Sequence, residues 1–307
     1  MLEGYYLRRP TETDLEAVLD LMLACDVRDV GFPDSDQEDL RSDWGRMDLE
    51  RDAWLVFNNQ HQLQGYGAVL PWNNGKFVSV YDAPGTEGSD LFLALSILCE
   101  VRARSLLIAE NDPKRVTIAH YISDRAENQK QVLTEAGYSL IKFLFNMHRS
   151  LIGDEAAPEW PSGYTLRTVD PASDPQALHA LIQDAFSHSG YKRQSFNDWK
   201  DRMMHPPAFI PDIWFVLVFQ RQIVGCVLCF EYENIGWVRQ LAVHQDHRGK
   251  GLGRKLLQHA FSVFRARGFS RVGLAVEADN TNALNLYQSV GMQKTVHLDQ
   301  YAKNIDL

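Results

Sequence analysis

The stretch Leu241-Ala-Val-His-Gln-Asp-His-Arg-Gly-Lys-Gly-Leu-Gly-Arg254 decides how this chain is read. It runs from an apolar strand end through a short polar turn into a glycine-rich turn that opens a helix. Gly249, Gly251 and Gly253 let the backbone turn tightly and approach a ligand, and the helix behind them offers unpaired N–H groups and a positive dipole end. Arg248, Lys250, Arg254 and Lys255 add positive charge around the same turn, so the segment reads as a grip for a pyrophosphate. The two familiar phosphate loops do not fit. A Walker loop needs Gly, four residues and then Gly-Lys-Ser/Thr, but five positions beyond Gly249 stands Arg254. A dinucleotide fingerprint needs Gly-x-Gly-x-x-Gly, yet Gly249 and Gly251 lead to Arg254, and Gly251 and Gly253 lead to Leu256. What remains is Arg-x-x-Gly-x-Gly at Arg248, Gly251 and Gly253.

Outward from that turn, the pattern predicts a helix from Arg254 to Arg267. Leu256, Leu257, Ala260, Phe261 and Phe264 form one apolar stripe, Arg265 and Arg267 sit in the last turn, and Gly268 caps it. Ser270-Arg-Val-Gly-Leu-Ala-Val-Glu-Ala-Asp-Asn280 then reads as a mostly apolar strand ending in turn residues. Ala283, Leu286, Tyr287 and Val290 follow at helical spacing before Gly291, which fixes a tyrosine on a short helix beside a strand end.

The chain repeats this plan at an offset near half its length. Tyr5-Tyr-Leu-Arg matches Tyr164-Thr-Leu-Arg, and each leads into an amphipathic helix, Asp14 to Leu23 in one copy and Pro175 to Ala185 in the other. Ala53-Trp-Leu-Val-Phe with Leu63-Gln-Gly65 matches Ile213-Trp-Phe-Val-Leu with Ile223-Val-Gly225, paired strands around a turn. Leu133-Thr-Glu-Ala-Gly-Tyr matches Tyr287-Gln-Ser-Val-Gly-Met. The Pro-, Gly- and charge-rich segment 151–163 reads as a linker, dividing the chain into domains 1–150 and 164–307. The copies diverge where chemistry would sit. In the first, Pro84 removes a backbone donor, Asp82, Glu87 and Asp90 would repel a pyrophosphate, and Leu133 stands in the place of Tyr287.

Taken together, the Arg-x-x-Gly-x-Gly turn and Asn280-x-x-Ala283-x-x-Leu286-Tyr287-x-x-x-Gly291 resemble the GNAT superfamily of acetyl-CoA-dependent acyltransferases, strongly over residues 164–307 and weakly before them. The tandem arrangement with one degenerate half looks like mycothiol-synthase-type proteins and other two-domain members. The resemblance implies an α/β (α+β) chain of two tandem GNAT folds. Each would have a mixed, mostly antiparallel central sheet with a splayed central strand and flanking helices. It implies acetyl-CoA as co-substrate, held by Leu241, Ala242, Val243, Arg248, Gly249, Lys250, Gly251, Leu252, Gly253, Arg254, Asn280, Ala283 and Tyr287. The splayed strand becomes Gly236-Trp-Val-Arg-Gln-Leu-Ala-Val243, with the Leu241 N–H as oxyanion donor and Val243 as a pantetheine contact.

Acyl transfer from a thioester to an amine needs a deprotonated amine, a stabilised oxyanion and a proton for the departing thiolate. Tyr287 is the candidate general acid, since a phenol with an ordinary pKa of about 10 is protonated at neutral pH. Asn280 suits either a cofactor contact or a helix N-cap. For the base, Glu231, Glu233, His244 and Glu277 lie near strand ends. Where many family members carry a glutamate on the splayed strand, this chain has Trp237 and Arg239, so a water relay from Glu231 or Glu233 is expected.

The bulk properties bound the partners. A chain of 307 residues suits two ordinary domains, and a formal charge of −9 argues against nucleic-acid binding and sits more comfortably with a neutral or cationic acceptor. No apolar signal core or bilayer-length run is found, which leads to a cytoplasmic expectation without a membrane partner. Four cysteines make no disulfide framework, and Cys226 and Cys229 fall three apart inside a strand, on opposite faces. The ten histidines show no ligand spacing, so no metal is expected. The expected acceptor is a primary amine of a small molecule or peptide. The alternatives are a non-catalytic acyl-CoA sensor or interaction module, and a longer-acyl or aminoacyl transferase.

Overall fold

The computed structural model describes residues 4–72, 75–86, 90–112, 116–153, 155–187, 193–204 and 209–306; Glu87 of the expected repulsive group lies outside them. In chain order the first half forms β1 (Tyr5–Arg8), α1 (Leu15–Val30), α2 (Gln37–Trp44), α3 (Leu49–Asp52), β2 (Ala53–Asn58), β3 (Leu63–Trp72), β4 (Gly75–Asp82), α4 (Leu91–Glu110), β5 (Thr117–Ser123), α5 (Glu127–Glu135) and β6 (Ser139–Ser150). The second half forms β7 (Tyr164–Thr168), α6 (Pro175–Phe186), α7 (Phe196–Met204), β8 (Trp214–Phe219), β9 (Gln222–Tyr232), β10 (Ile235–Val243), α8 (Leu252–Ala266), β11 (Arg271–Glu277), α9 (Thr281–Ser289) and β12 (Gln293–Asn304). Among the described residues, no helix is long and apolar enough to cross a membrane.

Two compact units emerge, one of Met1–Leu144 with Val296–Leu307 and one of Phe145–Thr295. These units cut the chain differently from a division at 150 and 164. The last strand belongs to the first unit, where β12 pairs antiparallel with β5 from Leu298 opposite Ser123 to Asn304 opposite Thr117. Strand pairing is a long-range choice that the local pattern of either strand does not reveal.

The first unit orders its strands β1-β2-β3-β4-β5-β12, antiparallel except for the parallel pair β4 and β5. The second orders β7-β8-β9-β10-β11, with β6 beyond β11, antiparallel up to β10 and parallel between β10 and β11. Each is the mixed, mostly antiparallel α/β arrangement expected. A shared device marks the start of each unit. Arg8 grips Asp14 through both guanidinium nitrogens at 2.8 and 2.5 Å, and Arg167 grips Asp174 at 2.6 and 2.9 Å. The arginine bonds hold both carboxyls below the ordinary range, Asp14 at about 2.

In the second unit, α8 lays its predicted stripe on the sheet, with Leu256, Leu257, Ala260, Phe261 and Phe264 all buried. Each large side chain of that stripe contributes about 1.5–3 kcal/mol by leaving water. The helix begins at Leu252, two residues before the start expected at Arg254. Gly251 is its N-cap at φ 74°, a left-handed conformation costly for residues with a Cβ, so the turn closes into helix at once. The hairpin between β8 and β9 turns on Gln220 and Arg221, both at positive φ, as a two-residue turn requires.

Candidate active site

The site is built from a gap between parallel strands. β10 pairs with β11 only at Gly236–Val272 and Trp237–Gly273, at the base of both strands; beyond this point they diverge. Along its other edge β10 stays paired with β9, with one interruption. The register slips between Val238 and Gln240, so Arg239 is the extra residue of a β-bulge.

That bulge decides which side chains face α8. Before it, Gly236 lies against Phe264 of α8, and without the bulge the even-numbered residues would keep facing α8. One inserted residue reverses the alternation. Gln240 accordingly turns to the opposite face, where its Oε1 accepts from Trp199 Nε1 of α7 at 3.0 Å. Val243 turns toward Gly253 of α8. The backbone direction follows from the strand end. His244 N–H donates to Val224 O of β9 at 2.8 Å, so the N–H groups of Leu241 and Val243, at odd spacing from it, point to the other edge and into the gap.

Above the gap sits the phosphate turn. Gly249 and Gly251, at φ 75° and 74°, flank Lys250, and the first helical bond of α8 runs from Lys255 N–H to Gly251 O at 3.2 Å. The N–H groups of Leu252, Gly253 and Arg254 therefore lack intrahelical partners and form an anion-binding concavity. Arg248 folds back so that Nε donates to Val243 O at 2.9 Å, fastening the turn to the strand end. A Cβ at Gly253 would come within 3.2 Å of Leu286 Cδ2 on α9, so that side chain would have to give by a few tenths of an ångström to admit one.

These elements enclose a cleft of about 820 Å³. β10 contributes Leu241, Ala242 and Val243, and the turn contributes Arg248, Gly249, Gly251, Leu252, Gly253 and Arg254. α9 contributes Asn280, Ala283 and Tyr287. Asn280 caps α9, its Oδ1 accepting from Ala283 N–H at 3.1 Å, and still borders the cleft. The Tyr287 phenol is pushed up to about 12 by burial. Lys250 lies outside this lining and donates to Asp246 O at 3.1 Å. Among the walls not anticipated from sequence are Phe186 at the end of α6, Leu286, and His247 at the turn's entrance. Leu286 and His247 adjoin the recognised motifs, whereas nothing local marks Phe186.

The carboxylates expected to relay a proton stand apart from this cleft. Glu231 lies opposite Gly236, five residues before Leu241, or about 16 Å along the strand. It is held by Arg267, just beyond the C-terminal end of α8, through an Nε bond and an Nη2 bond at 3.0 Å. Glu233 is exposed on the turn between β9 and β10. Neither borders the cleft, and Glu231 serves as the partner of a helix-end arginine. His244 caps the turn after β10, with Nδ1 accepting from Asp246 N–H at 3.3 Å. We expect Glu231→Gln to change kcat by less than about twofold, as for a half-exposed ion pair remote from the chemistry; steady-state kinetics showing a drop of tenfold or more would reinstate it as the base.

The corresponding place in the first unit is filled. β4 parts from β5 after Phe77–Ala119, and its pairing with β3 has no bulge. Aligning Gly65 with Gly225 puts Asp82 where Val243 stands, since Gly65 faces Asp82 and Gly225 faces Val243. Asp82 Oδ1 accepts from Gln129 Nε2 of α5 at 3.1 Å, and its carbonyl accepts from Arg28 Nη1 at 2.7 Å and Cys25 Sγ at 3.2 Å. This polar plug lies across the slot. The cavity beside it, about 340 Å³, is lined by Asp26, Asp29, Asp34, Asp36, Asp39, Asp43 and Asp82 against one Arg28, a field that repels a diphosphate. Leu133, in the place of Tyr287, is fully buried. All four cysteines are buried free thiols.

The cleft thus combines a bulged, splayed strand with a glycine-rich helix start on an α/β fold. Residues 176–292, all within the second unit, match the acetyltransferase (GNAT) family. It is 31% identical over 172 residues to the mycothiol acetyltransferase of Thermobispora bispora, a match covering 52% of this chain and 56% of that relative. Among solved structures, a GCN5-related N-acetyltransferase from Sphaerobacter thermophilus superposes over 100% of this chain and 99% of its own, with TM-score 0.86 and 28% identity. A tandem GNAT protein from the clavulanic acid biosynthesis pathway shares the fold at TM-score 0.75 and 16% identity, over 98% of each chain.

Proposed function

We propose that the second unit is an acetyl-CoA-dependent N-acetyltransferase that passes an acetyl group directly to a primary amine of a small molecule or peptide. The observation that carries this is the meeting, on one cleft, of inward-facing N–H groups at Leu241 and Val243, the phosphate turn, and the Tyr287 phenol. Acetyl-CoA fits the residues present: the turn takes the diphosphate, Val243 and Ala283 flank the pantetheine, and the Leu241 N–H meets the thioester oxygen. The amine nitrogen would attack the carbonyl carbon and, as the C–N bond forms, give up one proton to solvent; the oxyanion would gain the Leu241 hydrogen bond, and the C–S bond would break with sulfur leaving as a thiolate beside the Tyr287 hydroxyl. The mycothiol acetyltransferase relative favours a small-molecule acceptor. Four buried free thiols agree with a cytoplasmic setting.

The first unit, in this reading, keeps the fold without the cofactor. Calorimetry with acetyl-CoA is therefore expected to give one site per chain, because the Arg28–Asp82–Gln129 plug and the acidic cavity exclude a second. Two sites would overturn the assignment of the first unit. Thiol release from acetyl-CoA against a panel of amines tests the activity itself. Uptake of cofactor with no release on any amine would identify a sensor instead of an enzyme.

A further inference from the structure

His247 enters the phosphate turn as the last residue of the short helical turn Gln245–His247, and it borders the cleft. Its ring is clamped. Tyr164 stands edge-on at 5.6 Å and Phe219 at 5.2 Å between centroids, and these two rings face each other across the β7–β8 pair. The Tyr164 hydroxyl lies 2.8 Å from Nδ1, and Lys250 Nζ donates to the same hydroxyl at 3.5 Å.

One arrangement uses every donor and acceptor in this group. An ammonium group can only donate, so the hydroxyl accepts from Lys250, and its single proton is available to Nδ1. Nδ1 is then an acceptor, and the neutral imidazole carries its hydrogen on Nε2. Burial lowers the ring's pKa first, then Lys250 and His244, with Asp246 opposing, which favours the neutral form. In this arrangement Nε2–H is a donor on the same cleft as Arg248 and the first N–H groups of α8.

We propose that the His247 Nε2–H donates a hydrogen bond to a phosphate oxygen of coenzyme A, and that Tyr164 is the positioning residue that selects this tautomer. The inference rests on the acyl-CoA reading of the cleft. It adds a side-chain contact to the backbone grip, and it gives the aromatic pair at the start of β7 and the end of β8 a task in cofactor recognition.

The test is calorimetry of coenzyme A and of dephospho-coenzyme A with the full chain and three variants. His247→Ala should weaken coenzyme A binding about tenfold or more, the loss expected for a hydrogen bond to a charged group. His247→Gln, whose amide N–H can reach the place of Nε2–H, should stay within about threefold of the parent, which separates the contact from mere folding. Tyr164→Phe should weaken binding severalfold and move the ¹⁵N signals of His247 away from the Nε2–H pattern, a change that loss of packing alone would not produce. A penalty for His247→Ala that disappears with dephospho-coenzyme A assigns the partner as the 3′-phosphate; one that persists assigns the diphosphate. Equal binding by the parent and His247→Ala to both ligands, or an Nδ1–H tautomer in the parent, overturns the proposal. Failure of the parent to bind coenzyme A at all would instead fell the acyl-CoA reading, and the inference with it.

Discussion

Tyr287→Phe is expected to lower kcat for acetyl transfer by about two to three orders of magnitude while leaving the KM for acetyl-CoA nearly unchanged. The ring fills one wall of the cleft and phenylalanine would keep that packing, so only the hydroxyl is removed. The hydroxyl has no counterpart to act on until the C–S bond stretches and charge gathers on sulfur; an interaction made only then appears in kcat. Burial pushes the phenol up to about 12, well above the ordinary thiol value of about 8.5, so in the proposed reaction it would steady the departing thiolate as a held donor and keep its proton beforehand. The pH dependence follows. The active form is protonated, and its folded pKa lies above the ordinary 10, so activity owed to this group persists through pH 10 and is lost only on approach to about 12. Steady-state rates across pH 6–10 should show no alkaline limb that Tyr287→Phe abolishes. A phenylalanine variant with undiminished kcat would reduce Tyr287 to a packing residue.

Gly251→Asp is expected to raise the Kd for acetyl-CoA by about a hundredfold or more. A carboxylate at the mouth of the turn would face the diphosphate at close range, and like charges a few ångströms apart near a protein surface repel by a few kcal/mol. The fold should survive this change better than the site does. An aspartate at an N-cap is favourable to the helix itself, tolerates positive φ better than most residues, and its Cβ would meet no atom within 4 Å. Gly251→Ala separates the two effects. It adds no charge and no clash, so its cost is the backbone strain at φ 74°, about 1–2 kcal/mol, and a weakening of about five- to thirtyfold. Calorimetry paired with thermal melts distinguishes these outcomes. Tight binding by the aspartate variant would show that the diphosphate lies elsewhere.

The parts of the site legible in the sequence are those with local causes. Arg248, Gly251 and Gly253 stand out because a tight turn needs glycine and an anion needs positive charge, and Asn280, Ala283 and Tyr287 because helical spacing follows a strand end. The structure brings all of these onto one cleft. The extent of the helices was less legible. α1 runs on to Val30, well past Leu23: Gly31 at φ 92° supplies its left-handed stop, and charged residues before it are taken up by partners, Asp26 accepting from the Asp34 and Ser35 N–H groups and Arg28 donating to Asp82 O.

What could not be read were the consequences of pairing. The bulge at Arg239 is invisible in a row of residues, yet it turns Gln240 to Trp199 and Val243 to α8. Glu231 was marked as a candidate base by its nearness to a strand end, but Arg267, 36 positions away, claims it. Asp82 was legible as a charge hostile to pyrophosphate, though not as the centre of a plug built by Arg28 and Gln129.

By itself, the sequence determined the two-copy plan, the phosphate turn and the short tyrosine-bearing helix, because glycine conformations, helix caps and apolar periodicity act over a few residues. Only the tertiary structure decided that the last strand completes the first unit, that β10 and β11 part after a single step, and which acids face the cleft. Those outcomes depend on register and packing between segments far apart in the chain, where a shift of one residue reverses a whole face and no local preference opposes it.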